Sequence, residues 1–339
     1  MKKSLIALAV AGAMTAPIVA QADATLYGSF RVGLVSQQDE DLDLRDESTR
    51  IGIKGDVDLG LENTKGLFHW EANLDTTDND AGVVNTDGTK SGKMFSERLA
   101  YIGATGNWGT ALVGRQYHPH YTMVASHTNI FNSADKEFGE AFILGNNVDG
   151  NGYHHKRNDN TLAYASPIMA GFQVVAGAVI AGGNDDSQDD VDGYNVAAQY
   201  TGVEGLRVSA SYAATEEDGV LGFDQDLWGV GATYKLSALT VAARYEDREI
   251  DAAGVTTDER DAWELAAAYQ MGATALKARF GDLDIATADV DGEQWGLEVE
   301  QKLGNKGRVW VGYTDIDEEV ATALNVAEDT LVLGYRLDF

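Results

Sequence analysis

Large apolar side chains recur along this chain at every second position, where a helix would place them every third or fourth. In Trp228-Gly229-Val230-Gly231-Ala232-Thr233-Tyr234-Lys235-Leu236 they occupy the even numbers. Leu239, Val241, Ala243 and Tyr245 repeat the pattern, with Thr240, Ala242, Arg244 and Glu246 between them, and so do Trp263, Leu265, Ala267 and Tyr269. Successive side chains on a strand point to opposite faces. A period of two therefore predicts strands with one apolar face and one face of small, hydroxyl-bearing and charged residues. Sixteen such segments can be read. They are 25–36, 49–59, 67–75, 97–105, 109–117, 160–166, 172–181 and 194–201, then 206–215, 226–236, 239–247, 260–270, 273–283, 293–303, 307–315 and 328–339.

Alternation alone does not say which face meets water. A soluble sandwich buries its apolar face, whereas a transmembrane barrel turns it outward to lipid and keeps a polar lumen. Four features favour the barrel. The segment count is even. Short connections, such as Gly106-Asn107-Trp108, Ser237-Ala238, Met271-Gly272 and Gly304-Asn305-Lys306, alternate with ones expected to be about ten residues or more. Acidity concentrates in the long connections, at Asp39-Glu40-Asp41, Asp185-Asp186, Asp189-Asp190, Glu216-Glu217-Asp218 and Asp317-Glu318-Glu319. Pro119 and Pro167 both fall between strands, where no ladder hydrogen bond is lost. A closed barrel also leaves no exposed edge. The expected fold is an all-β, 16-stranded antiparallel transmembrane barrel.

The N-terminus reads differently. Lys2 and Lys3 precede an apolar run from Leu5 to Ala13, and Ala20-Gln21-Ala22 follows. This predicts a secretory signal peptide over 1–22, cleaved after Ala22 or alternatively after Ala24. The apolar run is too short to span a membrane. The barrel domain is then 23–339.

The formal charge of −29 becomes −31 once the two lysines of the signal peptide are removed. It excludes a nucleic-acid partner, which would need a basic surface. The absence of cysteine excludes disulfides and thiolate metal sites. The six histidines form no HExxH pattern, so no metal centre is expected. The acidic runs are ordinary solvated loops in one reading. In the other, divalent cations bridge them to lipopolysaccharide and other anionic headgroups of the outer membrane.

The chain resembles the general Gram-negative porins over its whole length after the signal peptide. The markers are Leu26-Tyr27-Gly28 in the first strand, Thr49-Arg50-Ile51-Gly52-Ile53-Lys54-Gly55 in the second, and Glu97-Arg98-Leu99-Ala100-Tyr101 in the fourth. Gly114-Arg115-Gln116-Tyr117 ends the fifth, Glu137-Phe138-Gly139 lies in the longest connection, and Gly334-Tyr335-Arg336-Leu337-Asp338-Phe339 finishes the chain. The resemblance implies short periplasmic turns, long extracellular loops and a homotrimer. It implies that the third loop, here 118–159, folds into the lumen and constricts the pore. It implies a basic wall of Arg50, Arg98 and Arg157, to which strand parity adds Arg31, facing an acidic loop carrying Glu137 and Asp135. Where the family often has another acid, one turn before Glu-Phe-Gly, this chain has Ser133. The loop either carries its acid at Asp135 or carries less charge. The terminal Phe339 matches the family's assembly signal, which is read by the barrel-insertion machinery after passage past periplasmic chaperones.

The implied function is a water-filled outer-membrane channel for passive diffusion of ions and small hydrophilic solutes. The alternative is a substrate-selective channel for sugars or anions. A sugar path needs aromatics aligned along the lumen, and Tyr27, His69 and Trp310 on that parity are scattered. Catalysis is not expected: His69 and Glu71 share a face, but no serine motif accompanies them.

Overall fold

The computed structural model describes residues 23–38, 40–77, 95–133, 156–180, 191–215 and 223–339. The expected signal peptide, Asp135, Glu137, Asp39 and the acidic runs at 185–190 and 216–218 lie outside the described residues. The strands are β1 (Asp23–Gln37), β2 (Asp43–Asp46), β3 (Arg50–Leu61), β4 (Thr64–Leu74), β5 (Phe95–Gly106), β6 (Gly109–Tyr117), β7 (Arg157–Ala165), β8 (Phe172–Val179) and β9 (Gly193–Tyr200). Then come β10 (Leu206–Thr215), β11 (Asp224–Leu236), β12 (Leu239–Ala252), β13 (Val255–Met271), β14 (Thr274–Ile285), β15 (Val290–Leu303), β16 (Gly307–Ile316) and β17 (Asp329–Asp338). All pair antiparallel in one sheet, and β1 closes it against β17 from Ser29↔Asp338 to Gln37↔Thr330.

Seventeen strands occupy sixteen wall positions, because β2 and β3 share one. Residues 23–29 of β1 pair with β3, and residues 32–35 pair with β2. Between them, Glu47, Ser48 and Thr49 stand opposite Phe30 and Arg31, so the strand bulges by one residue, with Ser48 at φ 66°. The sixteen expected strands are all present, and β6 and β10 keep the expected bounds.

The expectation of uniformly long connections on one rim needs correction. Strands β12 and β13 run on to a two-residue turn, Ala253-Gly254, both at positive φ. Strands β14 and β15 are separated only by 286–289. These stretches look like loops because they are rich in acids, but alternating charged side chains with water on both sides do not oppose a hairpin. The run Asp317-Glu318-Glu319 is also more than a solvated loop. It starts the helix α2 (Glu318–Leu324), whose N-cap Asp317 accepts a hydrogen bond from Glu319 N at 2.9 Å. Acids in a first helical turn complement the partial positive charge there.

Burial is inverted relative to a soluble protein. Leu26, Phe30, Leu34, Leu297, Leu331 and Leu333 are exposed on the outer face, while Glu71, Gln116, Glu246, Glu264, Gln294 and Glu298 are buried within. Removing one such leucine from water contributes roughly 1.5–3 kcal/mol, which only a hydrocarbon surround can supply for an outward face. Ring pairs Trp228–Tyr245, Trp263–Phe280 and Trp295–Tyr313 girdle this face towards one rim. No described helix is long and apolar enough to cross a membrane, so the crossing is made by strands.

The lumen is not polar throughout. Val320 and Ala321 of α2 pack inside the barrel with Ala213, Leu227, Leu283, Ile285, Ile316 and Ala125. This side of the mouth is filled by apolar contact.

Candidate constriction site

Beyond β6 the chain turns inward. His118 N donates to Lys156 O at 3.0 Å, pinning the two ends of the excursion together. The short helix α1 (Pro119–Met123) follows, with proline in its first turn and the His118 imidazole capping His120 N. A 3-10 turn spans Ala125–His127.

This segment docks on the lumen face of β10–β16. Arg207 Nη2 donates to Thr122 O at 2.5 Å, and Ser209 Oγ donates to Met123 O. His120 Nε2 meets Glu246 Oε1 at 2.8 Å, with both side chains fully buried. His127 bonds Thr233 Oγ1 at 2.6 Å and Ser209 Oγ at 2.7 Å. Burial and the nearby Arg207 push the His127 imidazole down to about 4. Asn132 donates from its backbone to Glu298 Oε2 at 2.8 Å and from its amide to Glu298 Oε1 and Glu300 Oε2, each at 2.7 Å. Trp310 Nε1 reaches Ser133 Oγ at 3.3 Å. Glycine on β11 makes the approach possible. A side chain at Gly229 would sit 3.0 Å from His120 Cε1, and one at Gly231 would strike the His127 ring.

The docking wall carries charges paired among themselves. Arg244 and Arg279 contact Glu264 at 3.6 and 3.1 Å, and Lys277 contacts Glu298 and Glu300 at 2.7 and 3.0 Å. Pairs desolvated to this degree anchor geometry more than they add net stability.

Across the lumen the chemistry differs. A cavity of about 180 Å³ is lined by Arg31, Ser48, Arg50 and Arg98 on one side and by Tyr121, Asn129, Phe131, Asn132 and Ser133 on the other, with Tyr117 and Lys156 between. Arg31 Nε donates to Ser29 Oγ at 2.8 Å, and Arg50 Nε to Ser48 O at 3.2 Å. Among the described residues neither has a carboxylate partner within ion-pair distance. Arg98 is different. Its Nε meets Glu71 Oε1 at 2.6 Å with both groups buried, and its Nη1 donates to Asn73 at 3.0 Å.

Three of the four wall arginines expected from the sequence thus line one cavity. Arg157 stands beside it, its guanidinium 5.1 Å from the Tyr117 ring centre. Tyr117 stacks on Tyr121 at 5.4 Å, and Lys156 lies 4.8 Å from the Tyr121 ring centre. Sequence reading missed Lys156, the two tyrosines and the docking partners on β10–β16. Only the Gly229-x-Gly231 gap on a lumen face could have signalled them. Phe339 lies on the outer face beside Phe30, with its backbone paired to Gly28. Among the described residues no three His, Asp or Glu side chains converge as a metal site.

A family model for Gram-negative porins matches residues 7–321. The chain belongs to that family. As a porin it resides in the Gram-negative outer membrane. It is 27% identical over 255 residues to the chitoporin of Vibrio furnissii, covering 71% of this chain and 64% of that one. The match thus spans under two-thirds of that relative's length. The fold of this porin matches the anion-selective porin from Comamonas acidovorans with TM-score 0.73 and 18% identity, covering 94% of this chain and 100% of that one. It also matches the trimer form of OmpT of Vibrio cholerae with TM-score 0.66 and 16% identity, covering 94% and 99%.

Proposed function

We propose that this porin is a water-filled channel for passive diffusion of ions and small hydrophilic solutes, narrowed where Arg31, Arg50 and Arg98 face the inserted segment. The observation that carries this reading is the docking of 118–133 inside the lumen, opposite the arginine-lined cavity. Arg157 and Lys156 add to the basic side. Asp135 and Glu137 supply the acidic side, completing a transverse field. Deleting about half of 118–159 should enlarge single-channel conductance, and unchanged conductance in a correctly folded deletion would place the loop outside the ion path.

Two opposing fields set selectivity. The arginines favour anions at the constriction, while the chain's excess of acids concentrates cations at the mouth. The Debye length is roughly 10 Å at 0.1 M salt and about 3 Å at 1 M, so a diffuse mouth field fades first. A modest cation preference at low salt should therefore weaken towards neutrality at molar salt. Reversal potentials across a salt gradient measure it, and anion preference at low salt would contradict it. A sugar-selective path is less well supported, because Tyr117 and Tyr121 stack on each other with Arg157 and Lys156 beside their rings. The solved OmpT trimer supports a homotrimer here, testable by centrifugation in detergent. Outer-membrane lipid, periplasmic chaperones and the insertion machinery are its proposed partners in assembly.

A further inference from the structure

Below the arginines, on the same wall, lies a chain of side chains that diffusion alone does not require. Tyr27 on β1 reaches across β3 to β4. It can do so because Gly52 lies beneath it, where any Cβ would stand 2.7 Å from the phenol ring. The Tyr27 hydroxyl donates to Glu71 Oε2 at 2.8 Å and lies 2.5 Å from His69 Nε2. His69 Nδ1 lies 2.8 Å from the Tyr101 hydroxyl on β5. Glu71 Oε1 holds Arg98 at 2.6 Å.

A phenol has one proton. Since Tyr27 gives its proton to Glu71, its oxygen must accept from His69 Nε2–H, and neutral His69 then accepts from Tyr101 at Nδ1. The chain is satisfied with an uncharged imidazole. A second proton on Nδ1 breaks none of these bonds, because the Tyr101 hydroxyl can rotate and accept instead. The site therefore admits charge without rearranging. The ionisable groups facing His69 among the described residues are Tyr27 on β1, Lys54 on β3, Glu71 on its own strand and Tyr101 on β5. Lys54 Nζ lies 5.1 Å from the Tyr27 ring centre, and the negative charge of Glu71 is answered by Arg98. His69 and Tyr101 are only half-buried.

We infer that His69 is a specificity-determining residue: its protonation adds one positive charge to the lumen wall beside the constriction and tilts the channel towards anions. This rests on the channel reading above. Loss of carboxylate charge at lower pH is common to the wild type and to a channel lacking this imidazole, so the difference between the two isolates the effect.

The test is the reversal potential in a potassium chloride gradient from pH 7.5 to 5.5, for the wild-type trimer, His69→Gln and His69→Lys. Heat-modifiable mobility reports that each barrel is folded. The wild type should raise its anion-to-cation permeability ratio by about four-fold before salt screening, because a unit charge about 10 Å from an ion's path in water changes each ion's local concentration about two-fold in opposite senses. His69→Gln should lack that step, and His69→Lys should show the low-pH ratio already at pH 7.5. Superimposable pH curves for wild type and His69→Gln, or a His69→Lys channel with wild-type selectivity at pH 7.5, would overturn the inference while leaving the channel intact. A folded wild type that passes no current would overturn the channel reading itself, and the inference with it.

Discussion

The walls of this barrel obey one rule of alternation yet use their inward charges in opposite ways. On β10–β16, buried glutamates and arginines and the partly buried Lys277 are paired with one another, and several are bonded to the inserted loop. On β1–β5, Arg31 and Arg50 meet the cavity held, among the described residues, by a serine hydroxyl and a backbone carbonyl. Paired, desolvated charge fixes position. Charge left in contact with pore water makes a field. The same residue types serve as anchor on one side and as filter on the other, and partners separate the two uses, not composition. Arg98 sits between these regimes: it lines the cavity, but Glu71 already balances it.

The largest test strikes the anchor. Glu298→Ala removes two of the three hydrogen bonds that Asn132 donates to Glu298 and Glu300, and one partner of Lys277. Breaking a buried pair from one side costs about 3 kcal/mol here, the low end of the range, because Glu300 still reaches Lys277. Expected outcomes are a lower thermal dissociation temperature and larger conductance as the loop comes away. Wild-type conductance would mean that other contacts hold the loop.

Arg98→Ala comes next. It strands Glu71 inside the wall, so the barrel should lose stability, by roughly 2–3 kcal/mol for an unpaired buried acid. It should also shift selectivity towards cations. Arg50→Gln, by contrast, should shift selectivity in the same direction with little change in dissociation temperature. Equal stability losses in the two variants would erase the distinction between balanced and unbalanced arginines.

A milder effect concerns pH. Docked His127 is held down to about 4, chiefly by burial, whereas a released loop would titrate near about 6.5. The released form binds more protons between those values. Docking is therefore at full strength above about pH 6.5 and is lost as pH falls towards 4. Protease access to the loop should rise across that window in wild type and less so in His127→Gln.

Much of the barrel was legible because parity is local: Tyr234 and Leu236 declare their face within a few residues. Parity also marked Arg31 as inward, beside the Arg50 and Arg98 that the porin resemblance implied. It could not say which of them has a partner, because the bulge at 47–49 and the reach of Tyr27 across Gly52 depend on register between strands. The docking surface was hidden for a different reason. Ser133 and Trp310 meet across 177 residues of sequence, and nothing local in either stretch names the other. The helix at 318–324 looked like a charged loop because its apolar contribution is little more than Val320, Ala321 and Leu324.

Cysteine accessibility tests the contrast between the walls most directly, since the chain contains no cysteine of its own. Single Arg50→Cys and Leu227→Cys channels, exposed to a small charged thiol reagent in a lipid bilayer, report which wall the water path follows. Arg50→Cys should react quickly, with a stepwise change in current. Leu227→Cys, under the inserted loop and α2, should stay unmodified while the loop is docked. Equal reaction of both, or reaction of Leu227→Cys alone, would contradict the account.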